Sequence, residues 1–120
     1  MTFDPLDLLT IAESMDISAE AGARTAINRA YYAIFLKTRD NLLSTGPMTG
    51  RGAGQEHGEV IYALRRNHRH RAAQRLAGLR ILRQQADYRT DLETSMQDAR
   101  EALEAADDIR RLLVPDWGTA

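Results

Sequence analysis

The 120-residue chain contains no cysteine, a single lysine and three prolines, and only 6% of its residues are aromatic. Without cysteine it has no disulfide framework, thiol nucleophile or cysteine zinc site. No stretch reaches the roughly 18 consecutive apolar residues of a membrane span. Its first residues, MTFDPLDLLTIAE, lack the basic region and long apolar run of a signal peptide. These absences predict a cytoplasmic protein that does not contact a membrane.

The charges are segregated along the chain: acidic residues are scarce in residues 51–90, and basic residues are scarce in residues 91–120. Residues 51–90 hold nine arginines and three acids, whereas residues 91–120 hold three arginines and eight acids. The basic and acidic segments can neutralise each other, within a bundle or between subunits, or the basic segment can face a polyanion. Arginine suits bidentate contacts with phosphate or carboxylate better than lysine does.

Five segments have helical apolar spacing, and no strand pattern of any length is present. We expect the first helix to start at Asp4-Pro5, and Ser18 to cap the second, which reaches about residue 43. The third covers about 55–67, the fourth follows the RRNHRHR run, and a capping box at Thr90–Glu93 starts the fifth. The pattern predicts an all-α fold, an antiparallel four- to five-helix up-and-down bundle. One domain covers 1–114, and 115–120 form a tail.

The most informative stretch is RTAINRAYYAIF, residues 24–35. Its apolar residues recur at i, i+3, i+4, i+7 and i+8, which places one apolar stripe on one face of a helix. Arg24 and Arg29 flank this stripe. Either the helix is a core helix and these two side chains extend their charged ends to solvent, or they line a phosphate-binding cleft together with a tyrosine. Because the helix is long and has apolar residues on a second face (Tyr32, Leu36 and Leu43), we expect it to be the spine of the bundle and to form a homodimer interface.

This string resembles the second helix of HEPN domains, small helical bundles that often carry an R-A-x-S-R-A-Y-Y-A-x-F-like string. His57, which opens an apolar run after a glycine-rich loop, and RQQADY, residues 83–88, are similar to later HEPN elements. The loop itself, residues 44–54, is not a P-loop, because no Gly-Lys-Ser/Thr closes it. The resemblance covers most of the chain and implies a HEPN-like bundle of the toxin- or defence-associated type.

The resemblance brings in active HEPN ribonucleases, in which an arginine is followed, after four to six residues, by a histidine. In those enzymes two copies of this motif face each other across a homodimer. Two spacings here fit, Arg65 to His70 and Arg51 to His57. Metal-free RNA cleavage needs a base, an acid and a cation, which histidine and arginine can supply. At the end of the fourth helix, however, Tyr88 stands where the histidine is expected, and tyrosine, with a pKa near 10, is a poor base at neutral pH.

The resemblance therefore fits either a metal-independent ribonuclease or a branch in which Arg83, Asp87 and Tyr88 serve structure or nucleic-acid contact. In some related toxins a partner nucleotidyltransferase modifies a tyrosine near this motif, a mark that Tyr88 could receive. The alternative function is a non-catalytic dimeric adaptor that binds a partner protein. Catalysis requires an arginine and a histidine to converge on one cleft, whereas the adaptor leaves the histidines scattered on the surface.

The candidate residues fall into three groups. The catalytic candidates are His57, Arg83 and Tyr88. The RNA-binding candidates are arginines of the second helix and of the basic run: Arg24, Arg29, Arg65, Arg66, Arg69 and Arg71. The expected structural network is Tyr31, Tyr32 and Asp87, with Arg83 and Asp87 paired at i, i+4. We predict no metal site, because His68 and His70 face apart and no acid lies between Glu59 and Asp87, and we predict no cofactor.

Overall fold

The computed structural model describes residues 2–46, 48 and 53–117, and in these residues all regular secondary structure is helical. The five helices are α1 (Asp7–Ser14), α2 (Glu20–Thr45), α3 (Ala53–Arg66), α4 (His70–Tyr88) and α5 (Met96–Leu113). They pack into one helical bundle with a Cα radius of gyration of 14.0 Å. This confirms the predicted all-α bundle. None of these helices combines the length and hydropathy that crossing a membrane requires.

Helix α2 is the spine of the bundle and packs against each of the other four helices. Its ten buried residues include four alanines, whose small side chains allow neighbouring backbones to approach closely. The helix ends at Thr45, and the next residue, Gly46, adopts a left-handed conformation and donates its N–H to the Leu42 carbonyl. A second apolar face free for a partner is not present along most of α2, because Tyr32 and Leu36 pack against the core. The homodimer stays a prediction, but Tyr32 and Leu36 no longer provide the interface that was expected for it.

Two helix starts differ from the sequence prediction because an upstream aspartate takes the local hydrogen bonds. The side chain of Asp4 accepts from the Leu6 N–H at 3.0 Å and holds a turn, so that α1 begins only at Asp7. Asp16 accepts from both the N–H and the hydroxyl of Ser18. The Ser18 hydroxyl is thus engaged upstream, and the N-cap position of α2 is Ala19.

The predicted capping box at Thr90–Glu93 is wrong, because the box forms five residues later. The Asp98 N–H donates to Ser95 Oγ at 3.0 Å, and the Ser95 N–H donates to Asp98 Oδ2 at 2.9 Å. The intervening residues cross between helices instead, and the Thr94 N–H donates to Glu20 Oε2 of α2. The S-x-x-D pattern at residues 95–98 was present in the sequence and was the better signal.

The turn between α3 and α4 is a Schellman motif with histidine at the position that usually holds glycine. The Arg69 N–H donates to the Leu64 carbonyl, and the His68 N–H donates to the Arg65 carbonyl. His68 has a φ of 63°, in the left-handed region where a Cβ is strained. The turn fixes the direction of the chain after α3, and therefore the position from which the Arg69 side chain extends.

We expect His68→Gly to raise the free energy of unfolding by about 0.5–1 kcal/mol, because relief of the left-handed strain exceeds the entropy cost of glycine. The measurement is urea denaturation followed by circular dichroism. His70→Gly is the matched control: His70 is the first residue of α4, so this change should destabilise. Equal effects of the two substitutions would contradict the expectation.

The backbone of the α1–α2 connection passes close to Gly22, in the first turn of α2. An added Cβ on Gly22 would lie 1.9 Å from the main-chain oxygen of Asp16, which is backbone and cannot yield as a flexible side chain would. Glycine is therefore required here by the packing of the α1–α2 connection on the first turn of α2. Gly78, in the middle of α4, has open space at the same position.

We expect Gly22→Ala to lower the free energy of unfolding by about 1–3 kcal/mol, because the connection must move to admit the methyl group. Gly78→Ala should instead raise it by about 0.5–1 kcal/mol through helix propensity. Thermal denaturation of the two single variants measures both effects. A Gly22→Ala variant as stable as the parent would show that the connection moves freely.

Candidate functional site

The first turns of α3 bring His57 onto an aromatic cluster of α2. Its ring stacks on Phe35 with ring centroids 4.3 Å apart, and Tyr31 and Tyr32 lie within 6.1 Å. The Tyr31 hydroxyl oxygen is 2.6 Å from His57 Nδ1. Tyr31 is fully buried and His57 half-buried, so the His57 ring lies between the core and the surface.

Helix α4 places two arginines beside this cluster. Arg83 is 5% exposed, and its guanidinium carbon lies 5.1 Å from the Tyr31 ring centroid and 5.5 Å from that of Tyr32. Arg80, one turn earlier, is close enough to both Tyr31 and His57 to act on them electrostatically. The Nε atoms of Arg80 and Arg83 are buried without a hydrogen-bond partner in the described part of the chain. The cluster therefore combines one histidine with two cations.

Asp87 links this cluster to α2. Its carboxylate lies 3.5 Å from Arg83 Nη1, so the predicted i, i+4 pair forms. The Asn28 side-chain amide donates to both Asp87 oxygens at 3.2 and 3.1 Å. The Asp87 side chain is 23% exposed. One carboxylate thus bridges α2 and α4, as expected for a structural network, while its partner on α2 is an asparagine and not an arginine.

The predicted RNA-binding residue Arg24 is used inside the chain. Its guanidinium donates to the carbonyls of Ala86 at 2.8 Å and Leu92 at 2.6 Å, and it pairs with Glu20 at 2.9 Å. These bonds satisfy carbonyls at the C-terminal end of α4 and in the connection that follows. Arg29 is exposed and donates to the Asn28 side chain.

Burial and charge set the protonation of the central pair. Burial raises the pKa of the Tyr31 hydroxyl, and the nearby Arg80 and Arg83 offset only part of that effect, so the phenol stays protonated. Burial lowers the pKa of His57, and Arg80 and Arg83 lower it further. The imidazole is neutral at pH 7. Either the phenol donates to Nδ1, or Nδ1–H donates to the phenol oxygen and the Nε2 lone pair is free.

The other predicted arginines lie at the opposite end of α4, and two of them are neutralised by the acidic end of the chain. Both nitrogens of the Arg69 fork, Nε and Nη2, bind Asp116 at 2.5 Å, and Arg71 pairs with Asp108 at 3.2 Å. Arg75 also pairs with Asp108, at 3.1 Å. The alternative of internal neutralisation therefore applies to Arg69 and Arg71.

Arg65 and Arg66 are exposed on the last turn of α3, and Arg66 lies over the Tyr62 ring at 5.8 Å. His70 is exposed at the start of α4, so the Arg65–His70 spacing spans a surface turn. Arg51 lies outside the described residues, and the Arg51–His57 spacing stays a prediction.

Tyr88 is not part of the cluster. Its side chain is 73% exposed at the end of α4, whereas Arg83, five residues earlier, is buried. The structure therefore brings together two of the three predicted catalytic residues, His57 and Arg83, through Tyr31. Among the described side chains, no three His, Asp or Glu residues meet in a group that could hold a metal ion.

Sequence reasoning missed three members of the site: Asn28, Phe35 and Arg80. Phe35 and Asn28 were inside the quoted α2 string, at i+4 and i−3 from Tyr31. Those spacings place them on the same part of the helix surface as Tyr31. Arg80 stands at i−3 from Arg83 on α4, which was the one signal that it shares the face of Arg83.

Comparisons of the chain with protein-family models, with curated proteins and with solved structures gave no match.

The lowered pKa of His57 predicts a pH dependence of stability. Because the pKa in the folded protein lies below its ordinary value of 6.5, the unfolded chain binds a proton that the folded protein does not. The free energy of unfolding should therefore fall as pH drops below 6.5, until the pKa of the folded state is reached. Urea denaturation at a series of pH values from 7.5 to 5 measures this loss.

His57→Gln should flatten this part of the pH profile, and His70→Gln, at an exposed position, should leave it as in the parent. NMR titration of the His57 ring in the folded protein gives a second measure that does not depend on the variant. A ring that titrates at or above its ordinary pKa would contradict the assignment.

Proposed function

We propose that this chain is a HEPN-like RNA-binding protein of a toxin–antitoxin or defence system, with metal-independent ribonuclease activity centred on His57. The observation that supports it is the meeting of His57 and Arg83 at the tyrosine face of α2, with the positive charge of Arg80 near enough to lower the pKa of His57. Scattered surface histidines would have favoured the adaptor. His68 and His70 are exposed, but His57 is not.

The groups at this site match the needs of RNA cleavage by the adjacent 2′-hydroxyl. A neutral imidazole is the form that accepts a proton, and in the tautomer with Nδ1–H bonded to Tyr31, the free Nε2 takes the proton of the 2′-hydroxyl. The deprotonated 2′-oxygen attacks the phosphorus, and the bond to the 5′-oxygen of the next nucleotide breaks to leave a 2′,3′-cyclic phosphate. The proton on Nε2 passes to the departing 5′-oxygen, which returns the imidazole to its neutral form. Arg80 and Arg83 supply positive charge for the phosphorane that forms between these steps.

Phosphate contacts away from this cluster would come from the exposed Arg65 and Arg66 at the end of α3. The strand would then run from the α3–α4 turn toward the His57 cluster. Such contacts position RNA and carry little sequence information.

The partners in this proposal are a second copy of the chain and a nucleotidyltransferase antitoxin. Exposed apolar side chains support a homodimer contact on and just after α4: Ile81 is 55% exposed, Tyr88 73% and Leu92 41%. Before two copies associate, the same exposure leaves the Tyr88 hydroxyl accessible to a modifying enzyme.

One observation favours the second candidate, a non-catalytic dimeric adaptor that binds a partner protein. Arg83 is almost fully buried, and its charge faces two tyrosine rings and Asp87. The Tyr31 hydroxyl likewise holds His57 Nδ1. If the protein is an adaptor, these polar groups have only a structural role, which is to hold α2, α3 and α4 together.

We expect a fluorescently labelled single-stranded RNA to bind the parent with an affinity that falls by roughly one power of the salt concentration per phosphate contact. Arg65→Ala/Arg66→Ala should lower this salt dependence by about two such contacts. His57→Ala should abolish cleavage and leave binding unchanged. Anisotropy titrations at several salt concentrations and gel analysis of the RNA provide the two measurements.

Arg89→Ala/Arg100→Ala removes the same charge beyond the other end of α4 and should leave binding as in the parent. Binding that does not depend on salt, or that the Arg65/Arg66 change does not alter, would remove the basic turn from the proposal. Cleavage that survives His57→Ala would exclude His57 as the base. RNA that stays intact with the parent under every condition would favour the adaptor.

A further inference from the structure

A separate cavity of about 280 Å³ lies at the end of the bundle where α3 and α5 finish. Leu42, Leu64 and Leu113 form its apolar lining, and the polar side chains of Thr38, Asn41, Thr45 and Asn67 line it as well. The Arg69–Asp116 pair and Trp117 also line it. This volume is close to the lower end of small-ligand sites, about 300–1,000 Å³. It suits one planar ring system with the rest of a ligand outside.

The cavity contains a polar group that lacks a hydrogen-bond partner. Thr38 is 1% exposed, and its Oγ1 has none within the described chain. Buried hydroxyl groups are almost always hydrogen-bonded to protein, water or ligand. Asn41 and Asn67 line the same cavity with side-chain amides. A ligand that fills it must therefore offer donors or acceptors at its edge.

Arg69 presents an anion site beside the cavity. Its fork holds the Asp116 carboxylate through two bonds of 2.5 Å, a geometry that also fits a phosphate. The Schellman turn at His68 fixes the start of this side chain. Asn41 Nδ2 donates to the main-chain carbonyl of Asp116 at 2.9 Å, which keeps residue 116 over the cavity. Asp116 thus occupies the place that a phosphate oxygen pair would take.

Trp117 adds a flat aromatic surface. It is half-buried, packs against the core and lines the cavity. Indole rings stack on bases of any sequence, because every base has a π face. Trp117 is also the only tryptophan of the chain, so its fluorescence reports on its own surroundings. These are this cavity and a neighbouring one that Phe3, Lys37 and Leu43 line, and the variants of Arg69 and Thr38 distinguish the two.

We infer that this cavity binds one unpaired nucleotide. The base enters between the leucine wall and Trp117 and bonds to Thr38 and Asn67 at its edge, while the phosphate replaces Asp116 in the fork of Arg69. The nucleotide is either free or part of a single RNA strand. For the RNA source the inference rests on the proposed function, and it extends that function by giving the protein a base-binding site next to its exposed arginines.

The test is titration of Trp117 fluorescence with the four ribonucleoside monophosphates, inorganic phosphate, and a short RNA as single strand and as duplex. We expect monophosphates and the single strand to change the fluorescence, and the duplex and inorganic phosphate to leave it unchanged. Arg69→Gln should weaken binding at least about tenfold and Thr38→Val about fivefold, as expected for losing a charge-assisted and a neutral hydrogen bond.

Asp116→Asn should tighten nucleotide binding about fivefold, because the asparagine competes less well for Arg69. Arg75→Gln is the matched control: Arg75 pairs with Asp108 and does not line this cavity, so the affinity should stay as in the parent. The Thr38→Val change is nearly isosteric, and circular dichroism of each variant verifies that it is folded.

Fluorescence unchanged by every nucleotide would overturn the inference and leave a water-filled cavity. An equal response to inorganic phosphate would overturn the base site, as would full affinity in Thr38→Val. Labelled-RNA anisotropy separates the two proposals. RNA that binds, while neither RNA nor the monophosphates alter Trp117 fluorescence, overturns this inference and leaves the proposed function standing. Monophosphates that bind while RNA does not support this inference and contradict the proposed function.

Discussion

The guanidinium of Arg83 is a charge inside a helical bundle, and the surrounding elements are arranged so that it is stabilised there. A buried cation is tolerated only with compensating partners. Arg83 has the faces of Tyr31 and Tyr32 on one side and Asp87 on another. Those partners come from α2 and α4, so the requirement of one side chain fixes how the two helices face each other.

The partners of Arg83 have partners of their own, and this extends the network to α3. Asn28 holds Asp87, and His57 meets the Tyr31 hydroxyl. His57 is thereby kept in a site that favours its neutral form, with positive charge close by. The same contacts that hold the bundle together create a histidine–arginine cluster that is largely buried. The same side chains stabilise the fold and form the candidate site. A variant of any of them must therefore be tested for both stability and activity.

The sequence predicted what depends on spacing along one helix, and it failed where distant segments decide. The apolar stripe of α2, its role as the spine and the Arg83–Asp87 pair follow from i, i+3 and i+4 neighbours, and all three are present. Arg24 was expected to contact RNA, yet it meets carbonyls more than 60 residues away. No local pattern shows such a contact. The cap of α5 was misplaced because two S/T-x-x-acid patterns stood close together and tertiary contacts selected the second.

The charge segregation of the sequence shows the same limit. It indicated that basic and acidic segments could neutralise each other, and in the fold Asp108 and Asp116 meet Arg71, Arg75 and Arg69. It did not show which arginines would pair with the acidic end of the chain. That depends on where α3 ends, since Arg65 and Arg66 lie on its last turn while Arg69 leaves the turn toward α5.

The contacts of Glu20 and Arg24 join the start of α2 to the α4–α5 connection. Glu20 binds the Thr94 N–H and Arg24, and Arg24 binds the carbonyls of Ala86 and Leu92. These hydrogen bonds hold the connection against the start of α2. If the first turn of α2 frays, residues 86–94 lose their anchors at the same moment. The amides of these two segments belong to one cooperative opening unit and would exchange their hydrogens with solvent together, although about 60 residues of chain separate them.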